Sequence, residues 1–176
     1  MIKDNFDSYG FITRFLHWTM ALGFLFILFT MIMWNFFPDY PLSKSLMPHH
    51  KSIGFILFVM AIFRIIWFFI NKNKRPPELL SAKLGQWAML ALMFIVPLVA
   101  LLRQYGAARG ALMVFGIEVM PKAAEKIGFL VEIGNLLHKN LGIVLFILIF
   151  GHIFMVFIHD VFLGDSYMKR IWGKDK

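Results

Sequence analysis

The last hydrophobic stretch of the chain, His138 to His159, constrains the fold more than any other feature. It reads HKNLGIVLFILIFGHIFMVFIH and carries one formal charge, at Lys139. A helix of about 20 apolar residues is long enough to cross the hydrocarbon core of a bilayer. His152 follows His138 by fourteen residues, which is about 21 Å along a helix at nearly the same azimuth. Because polar side chains in lipid are costly, these imidazoles indicate a functional site whose partners lie elsewhere in the chain.

Composition places the whole chain in the membrane. Hydrophobic residues make up 60% of the 176 residues, and the mean hydropathy is +0.72. We expect a single all-α domain over residues 1–176, a bundle of four transmembrane helices with spans at about 13–34, 50–70, 84–104 and 136–160. Residues 35–49 are predicted to form a polar loop, and residues 115–134 a short helix at the membrane interface.

The distribution of basic residues predicts that both termini are cytoplasmic. Ten Lys and Arg residues fall in the N-terminus, the second loop and the C-terminus, against seven on the opposite side. The ten are concentrated in short segments beside the spans, where the positive-inside rule has most force. The net charge of +8 is therefore explained by membrane topology, and we expect no nucleic-acid partner. The absence of cysteine excludes disulfides, Cys-ligated iron–sulfur clusters and covalently attached c-type haem.

With this topology the histidines pair by depth. His17 and His152 lie toward the cytoplasm, and His50 and His138 toward the outside. Two bis-imidazole sites, one near each face, are the arrangement needed to hold two b-type haems through axial iron ligands. His49 competes with His50, but it lies about 100° around the helix from the face that carries the other site residues. We assign the ligand to His50.

Glycines and arginines on the same faces support this hypothesis. Gly54 and Gly142 each follow a proposed outer ligand by four residues, where a missing side chain lets a flat macrocycle approach the backbone. Glycine is also common at close helix contacts in membranes. Arg64, fourteen residues after His50, would need an anionic partner such as a haem propionate at the inner depth. Arg14 could also pair with a haem propionate, or it could anchor the first span at the cytoplasmic interface.

His159 has no partner histidine, and it falls at the predicted cytoplasmic boundary. It either hydrogen-bonds a quinone carbonyl or extends to the lipid headgroups; the sequence leaves both roles open.

Together these motifs resemble the bacterial di-haem cytochrome b561 family over essentially the whole chain. The matching segments are FLHW in span one, HKSIG followed by Arg64 in span two, LGQW with Pro97 in span three, and HKNLG with two later histidines in span four. The resemblance implies haem ligation by the four paired histidines and a location in the bacterial inner membrane. For the closest subgroup it implies superoxide oxidase activity with ubiquinone as the electron acceptor. At the start of span three, Lys83 and Gln86 depart from the histidine-rich pattern we expect.

The outer loops carry seven basic and four acidic residues. A basic entrance would attract an anion such as superoxide, although the same charges could dock an acidic partner protein. We assign a superoxide funnel to Lys51, Arg103, Arg109 and Lys139.

Two other functions fit parts of the pattern. A cytochrome b subunit could relay electrons between the quinone pool and a hydrogenase or formate dehydrogenase, but the loops are short and offer no obvious docking domain, so the main hypothesis requires no protein partner. A small non-redox transporter could line a polar path with histidines, but it leaves the depth pairing as a coincidence.

Overall fold

Four long helices form the body of the molecule. The computed structural model describes residues 1–76, 79–165 and 167–173. In this part of the chain the long helices are α1 (Phe11–Phe36), α2 (Pro41–Asn71), α3 (Leu80–Gly106) and α4 (Gly128–Ile158). All four are long and apolar enough to cross a membrane, and most of their large apolar side chains lie on the outside of the bundle. The outward-facing apolar surface is what a lipid environment requires.

Shorter elements cover the two ends of the bundle. The first end, which we call the hairpin end, comprises residues 37–40 and 107–127. It carries an antiparallel pair of strands, β1 (Leu112–Val114) and β2 (Ile117–Met120). The second, the terminal end, comprises residues 1–10, 72–76, 159–165 and 167–173. It carries a 3₁₀ turn (Lys72–Lys74), a π-helical turn (His159–Leu163) and the short helix α5 (Tyr167–Trp172).

The prediction of an interfacial helix at residues 115–134 was wrong. Phe115 and Gly116 both have positive φ angles, +47° and +88°. Two such residues in sequence form a tight hairpin turn that matches the twist of the flanking strands. The β-branched residues on either side then pair as β1 and β2, and the helix after them begins only at Gly128.

The polar loop predicted at residues 35–49 is also mostly helical. Only residues 37–40 connect α1 to α2, because Pro41 starts α2 at a position where its fixed φ angle is favourable. The Ser43 hydroxyl donates hydrogen bonds to the carbonyls of Met33 and Phe37 at the end of α1, which closes the connection. His50 therefore lies more than two turns inside α2, and His138 lies about three turns inside α4.

The helices form two closely packed pairs, α1 with α2 and α3 with α4, and α2 also packs against α3. Across the described chain, the backbone of α4 approaches α1 and α2 far less closely. An apolar core layer lies at mid-depth and includes Phe24, Leu57, Met93 and Leu145.

A buried carboxylate attaches the N-terminal segment to the terminal end. Asp4 accepts hydrogen bonds from the Gly10 amide at 2.8 Å and from the Thr13 hydroxyl at 2.6 Å. Its other oxygen lies 3.7 Å from Arg75 Nε, and Trp67 Nε1 donates to the same Thr13 oxygen at 2.9 Å. This network links the N-terminus, α1 and the end of α2.

Candidate functional site

The four histidines predicted to pair by depth do pair in space. The ring centroids of His17 and His152 are 6.4 Å apart, and those of His50 and His138 are 6.3 Å apart. The first pair joins α1 to α4 near the terminal end, and the second joins α2 to α4 near the hairpin end. Both pairs therefore bridge the gap that separates α4 from the α1–α2 pair.

These separations suit a metal ion between each pair of rings. A metal–imidazole nitrogen bond is about 2.0–2.1 Å long. Two such bonds, plus the distance from each bound nitrogen to the centroid of its ring, give about 6 Å between the centroids. In the described part of the chain, no cluster of three or more His, Cys, Asp or Glu side chains could hold a metal ion. Each candidate site therefore offers two axial imidazoles, and the remaining ligands would come from a macrocycle. Because α4 is continuous, the two sites lie about 21 Å apart along the helix axis.

At the hairpin end, both imidazoles are oriented by hydrogen bonds at Nδ1. His138 Nδ1 lies 3.1 Å from the Val96 carbonyl, which can only accept, so Nδ1 carries the proton. His50 Nδ1 lies 2.7 Å from Thr30 Oγ1, and that hydroxyl also lies 2.7 Å from the Ile27 carbonyl. The single hydroxyl proton satisfies the carbonyl, so the Thr30 oxygen accepts from His50. In both rings Nε2 is then unprotonated and available as a metal ligand.

The structure brings His50, and not His49, to His138. His49 Nδ1 instead donates to the Ser45 carbonyl at 3.1 Å, and its ring lies against that of Phe115 in the hairpin. The one-residue difference rotates the side chain about 100° around α2, away from α4.

The two glycines that follow the hairpin-end histidines have different surroundings. A methyl group at Gly54 would meet nothing within 4 Å outside its own helix turn, so open space lies beside this residue. A methyl group at Gly142 would lie 3.9 Å from a Val96 methyl, at ordinary van der Waals distance. Gly54 thus has room for a macrocycle, whereas Gly142 is buried against α3.

Arg64 lies beside the terminal-end histidines, as its spacing from His50 predicts. Its Nη2 is 3.4 Å from His17 Nδ1, and its Nη1 is 3.8 Å from the Met20 sulfur. Among the described residues, no carboxylate lies within 4 Å of this guanidinium. Arg14 is positioned differently, because its Nη1 donates to the Trp172 carbonyl of α5 at 2.8 Å.

His159 lies at the terminal end, where α4 becomes a π-helical turn. Its Nδ1 is 2.6 Å from an Asp165 carboxylate oxygen, and its ring packs edge-on against Tyr167 at a centroid distance of 5.0 Å. Asp165 and Tyr167 were not identified from the sequence, and only their proximity to His159 along the chain could have suggested them.

The predicted funnel residues are all exposed at the hairpin end, and Gln104 connects part of the set. Lys51 Nζ donates to Gln104 Oε1 at 3.0 Å, and Gln104 Nε2 donates to the Gly110 carbonyl, next to Arg109, at 3.1 Å. These groups border a cavity of about 240 Å³ beneath the hairpin. Arg103 packs against α4 at Gly134, and Lys139 follows His138 on α4.

A four-helix membrane bundle with two half-buried imidazole pairs, and no cysteine to attach a cofactor covalently, defines a class: a membrane cytochrome of the b type. The family model described as prokaryotic cytochrome b561 matches residues 8–174, so the chain belongs to that family. The chain is also similar to cytochrome b561 homolog 2 of Escherichia coli (strain K12), with 25% identity over 179 residues. The match covers 96% of this chain and 93% of the relative. The protein is a multi-pass membrane protein that transfers electrons across the bilayer through haem.

Proposed function

We propose that this protein binds two b-type haems and uses them to oxidise superoxide and reduce ubiquinone. His50 and His138 would hold one haem at the hairpin end, and His17 and His152 the other at the terminal end. The observation that carries the proposal is the pair of nearly equal ring separations, 6.3 and 6.4 Å, on opposite sides of one apolar layer. Haem held by these four histidines would supply one-electron transfer.

The orientation follows from the charge distribution. We place the hairpin end in the periplasm and both termini in the cytoplasm of a bacterial inner membrane. Superoxide carries one negative charge, and the exposed residues Lys51, Arg103, Arg109 and Lys139 would raise its concentration at the hairpin-end site. The overall reaction converts two superoxide ions, one ubiquinone and two protons into two oxygen molecules and one ubiquinol.

The other residues have supporting roles. Arg64 is a half-buried cation with no carboxylate within 4 Å among the described residues, and it would pair with a propionate of the terminal-end haem. Arg14 is less well placed for this role because it already bonds Trp172. His159 lies 2.6 Å from an Asp165 carboxylate oxygen, and we propose that it hydrogen-bonds a quinone carbonyl. With the termini in the cytoplasm, quinone reduction would then take place on the cytoplasmic side.

Two measurements on detergent-purified protein test the proposal. A pyridine haemochrome assay should give two b-type haems per chain, with sharp low-spin bands after reduction by dithionite. Stopped-flow mixing with superoxide should reduce these haems, and added ubiquinone should reoxidise them. A colourless protein, prepared with haem supplied during expression, would refute the haem hypothesis. Haems that superoxide does not reduce, together with a co-purified iron–sulfur subunit, would instead indicate a partner-dependent cytochrome b subunit.

Charge reversal tests the funnel. Arg109→Glu combined with Lys139→Glu should slow haem reduction by superoxide several-fold at low ionic strength and should weaken the dependence of the rate on salt. Lys83→Glu is a matched control, because Lys83 is equally exposed but lies near the terminal end. An unchanged rate and salt dependence in the double variant would rule out the funnel.

A further inference from the structure

His50 and His17, one ligand from each histidine pair, have different side chains beside Nδ1: Thr30 lies beside His50, and Arg64 lies beside His17. At the hairpin end, His50 donates its Nδ1–H to Thr30 Oγ1 and His138 donates to the Val96 carbonyl. Thr30 is fully buried in α1, and its own proton is used by the Ile27 carbonyl. Its oxygen is therefore held in place as an acceptor for His50.

Such donation changes the electronic character of a metal ligand. An imidazole that donates Nδ1–H to a neutral or negative acceptor becomes more basic at Nε2. A more basic axial ligand stabilises ferric iron relative to ferrous iron, and second-shell hydrogen bonds are one of the ways by which a protein sets a haem potential. Both ligands at the hairpin end have this arrangement, so both lower the reduction potential there.

At the terminal end, the side chain beside Nδ1 of His17 is a donor and not an acceptor. Arg64 Nη2 lies 3.4 Å from His17 Nδ1, and a guanidinium has donors but no acceptor. His17 therefore receives no basic acceptor from this neighbour and lies instead beside a positive charge. A half-buried cation held at this distance favours the state that holds the additional electron, because solvent screens the attraction less than it would at the surface. Arg64 thus raises the reduction potential at this end.

We propose that Thr30 is a positioning residue that fixes His50 and lowers the potential of the hairpin-end site, and that Arg64 raises the potential of the terminal-end site. Electron transfer from the hairpin end to the terminal end is then downhill. With a haem held at each site, one electron would leave the His50–His138 site and the same electron would arrive at the His17–His152 site in each transfer. The inference rests on the proposed binding of two haems, but it requires neither superoxide nor quinone as the substrate.

Redox titration of the haem-loaded protein, followed by visible absorption, tests the inference. Two one-electron waves are expected. Thr30→Val keeps nearly the same shape and removes the acceptor, so it should raise the potential of the lower wave only. The expected change in the ferrous-to-ferric ratio is several-fold and at most about tenfold, where tenfold corresponds to about 59 mV for a one-electron couple. Thr30→Ser restores the hydroxyl and should return the wild-type value.

Two further variants complete the test. Thr19→Val removes a hydroxyl from an exposed position of the same helix and should leave both waves unchanged. Arg64→Gln should lower the higher wave only. If Thr30→Val does not retain its haem, Thr30→Ser and Arg64→Gln decide the matter. Wild-type potentials in Thr30→Ser, together with a fall of only the higher potential in Arg64→Gln, support the inference.

Several results would overturn it. These are coincident potentials in the wild-type protein, a Thr30→Val effect on the higher wave or on neither wave, and an Arg64→Gln effect on the lower wave. Failure of the proposed function would give a different result. If the two potentials differ and respond to the variants as predicted, but superoxide does not reduce the haems, superoxide is not the electron donor and the inference still holds. Conversely, rapid superoxide oxidation by a protein with coincident potentials would refute the inference alone.

Discussion

Gly54 provides a sharp test of where a macrocycle would lie. It follows His50 by one helical turn, and a methyl group added there would meet no atom within 4 Å outside its own turn. The steric cost of a Cβ atom at this position in the haem-free protein is therefore close to zero, and the open space leaves room for a longer side chain to extend away from the helix. Replacing glycine by a better helix former gains about 0.8–1 kcal/mol in a helix interior. Gly54→Leu should thus slightly stabilise the haem-free protein.

The same substitution should have the opposite effect on haem binding. A leucine side chain would extend into the space beside His50 that a planar group needs. We expect the haem content to fall from two to one per chain, with the remaining haem held by His17 and His152. The assays are the pyridine haemochrome count and the reduced-minus-oxidised spectrum, together with the thermal unfolding midpoint of protein prepared without haem.

Gly151→Leu is the matched control, because a methyl group at this exposed residue of α4 also meets nothing within 4 Å. It should keep both haems. Two haems with an unchanged spectrum in Gly54→Leu would show that no macrocycle lies against Gly54. If the haem-free Gly54→Leu protein unfolds at a much lower temperature than the wild type, the space beside Gly54 is not open.

Two stability predictions concern close packing and the terminal end. Gly134→Ala places a methyl group against the Arg103 side chain between α3 and α4. The cost of overpacking, about 1–3 kcal/mol, should exceed the gain in helix propensity. We therefore expect a lower thermal unfolding midpoint. Gly151→Ala in the same helix should instead leave it unchanged or raise it, and equal shifts in the two variants would contradict the close contact. Asp4→Asn removes the buried charge beside Arg75 and should cost about 1–3 kcal/mol. A wild-type unfolding midpoint for this variant, measured by tryptophan fluorescence in detergent, would show that the Asp4 network contributes little.

Much of the site was predictable because helical spacing in a membrane translates directly into depth. Fourteen residues separate His138 from His152 and also His50 from Arg64. Lipid requires spanning segments to be regular helices, so a separation in sequence becomes a separation in space with little freedom. The pairing of His17 with His152 and of His50 with His138 follows from depth and the alternating direction of the spans, and the structure confirms the proximity of both pairs.

The parts that were not predictable depend on contacts between distant segments. Thr30 is an unremarkable hydroxyl in an apolar helix until the packing of α1 against α2 brings it to His50, twenty residues later. The Val96 carbonyl carries no sequence signal at all, since every residue has one. The hairpin was missed because a mixed polar and apolar segment can form a helix or strands, and the positive φ angles at Phe115 and Gly116 decide between them.

Sequence alone determined the class of protein, four helices able to span a membrane, and the separation of the imidazoles along each helix, because hydrophobicity and the 1.5 Å rise per helical residue act locally along the chain. Tertiary structure decided which groups lie at Nδ1 of His50 and His138, and how the hairpin packs beside Lys51. Those features depend on the relative positions of side chains and carbonyls from different helices, and no local pattern along the chain specifies them.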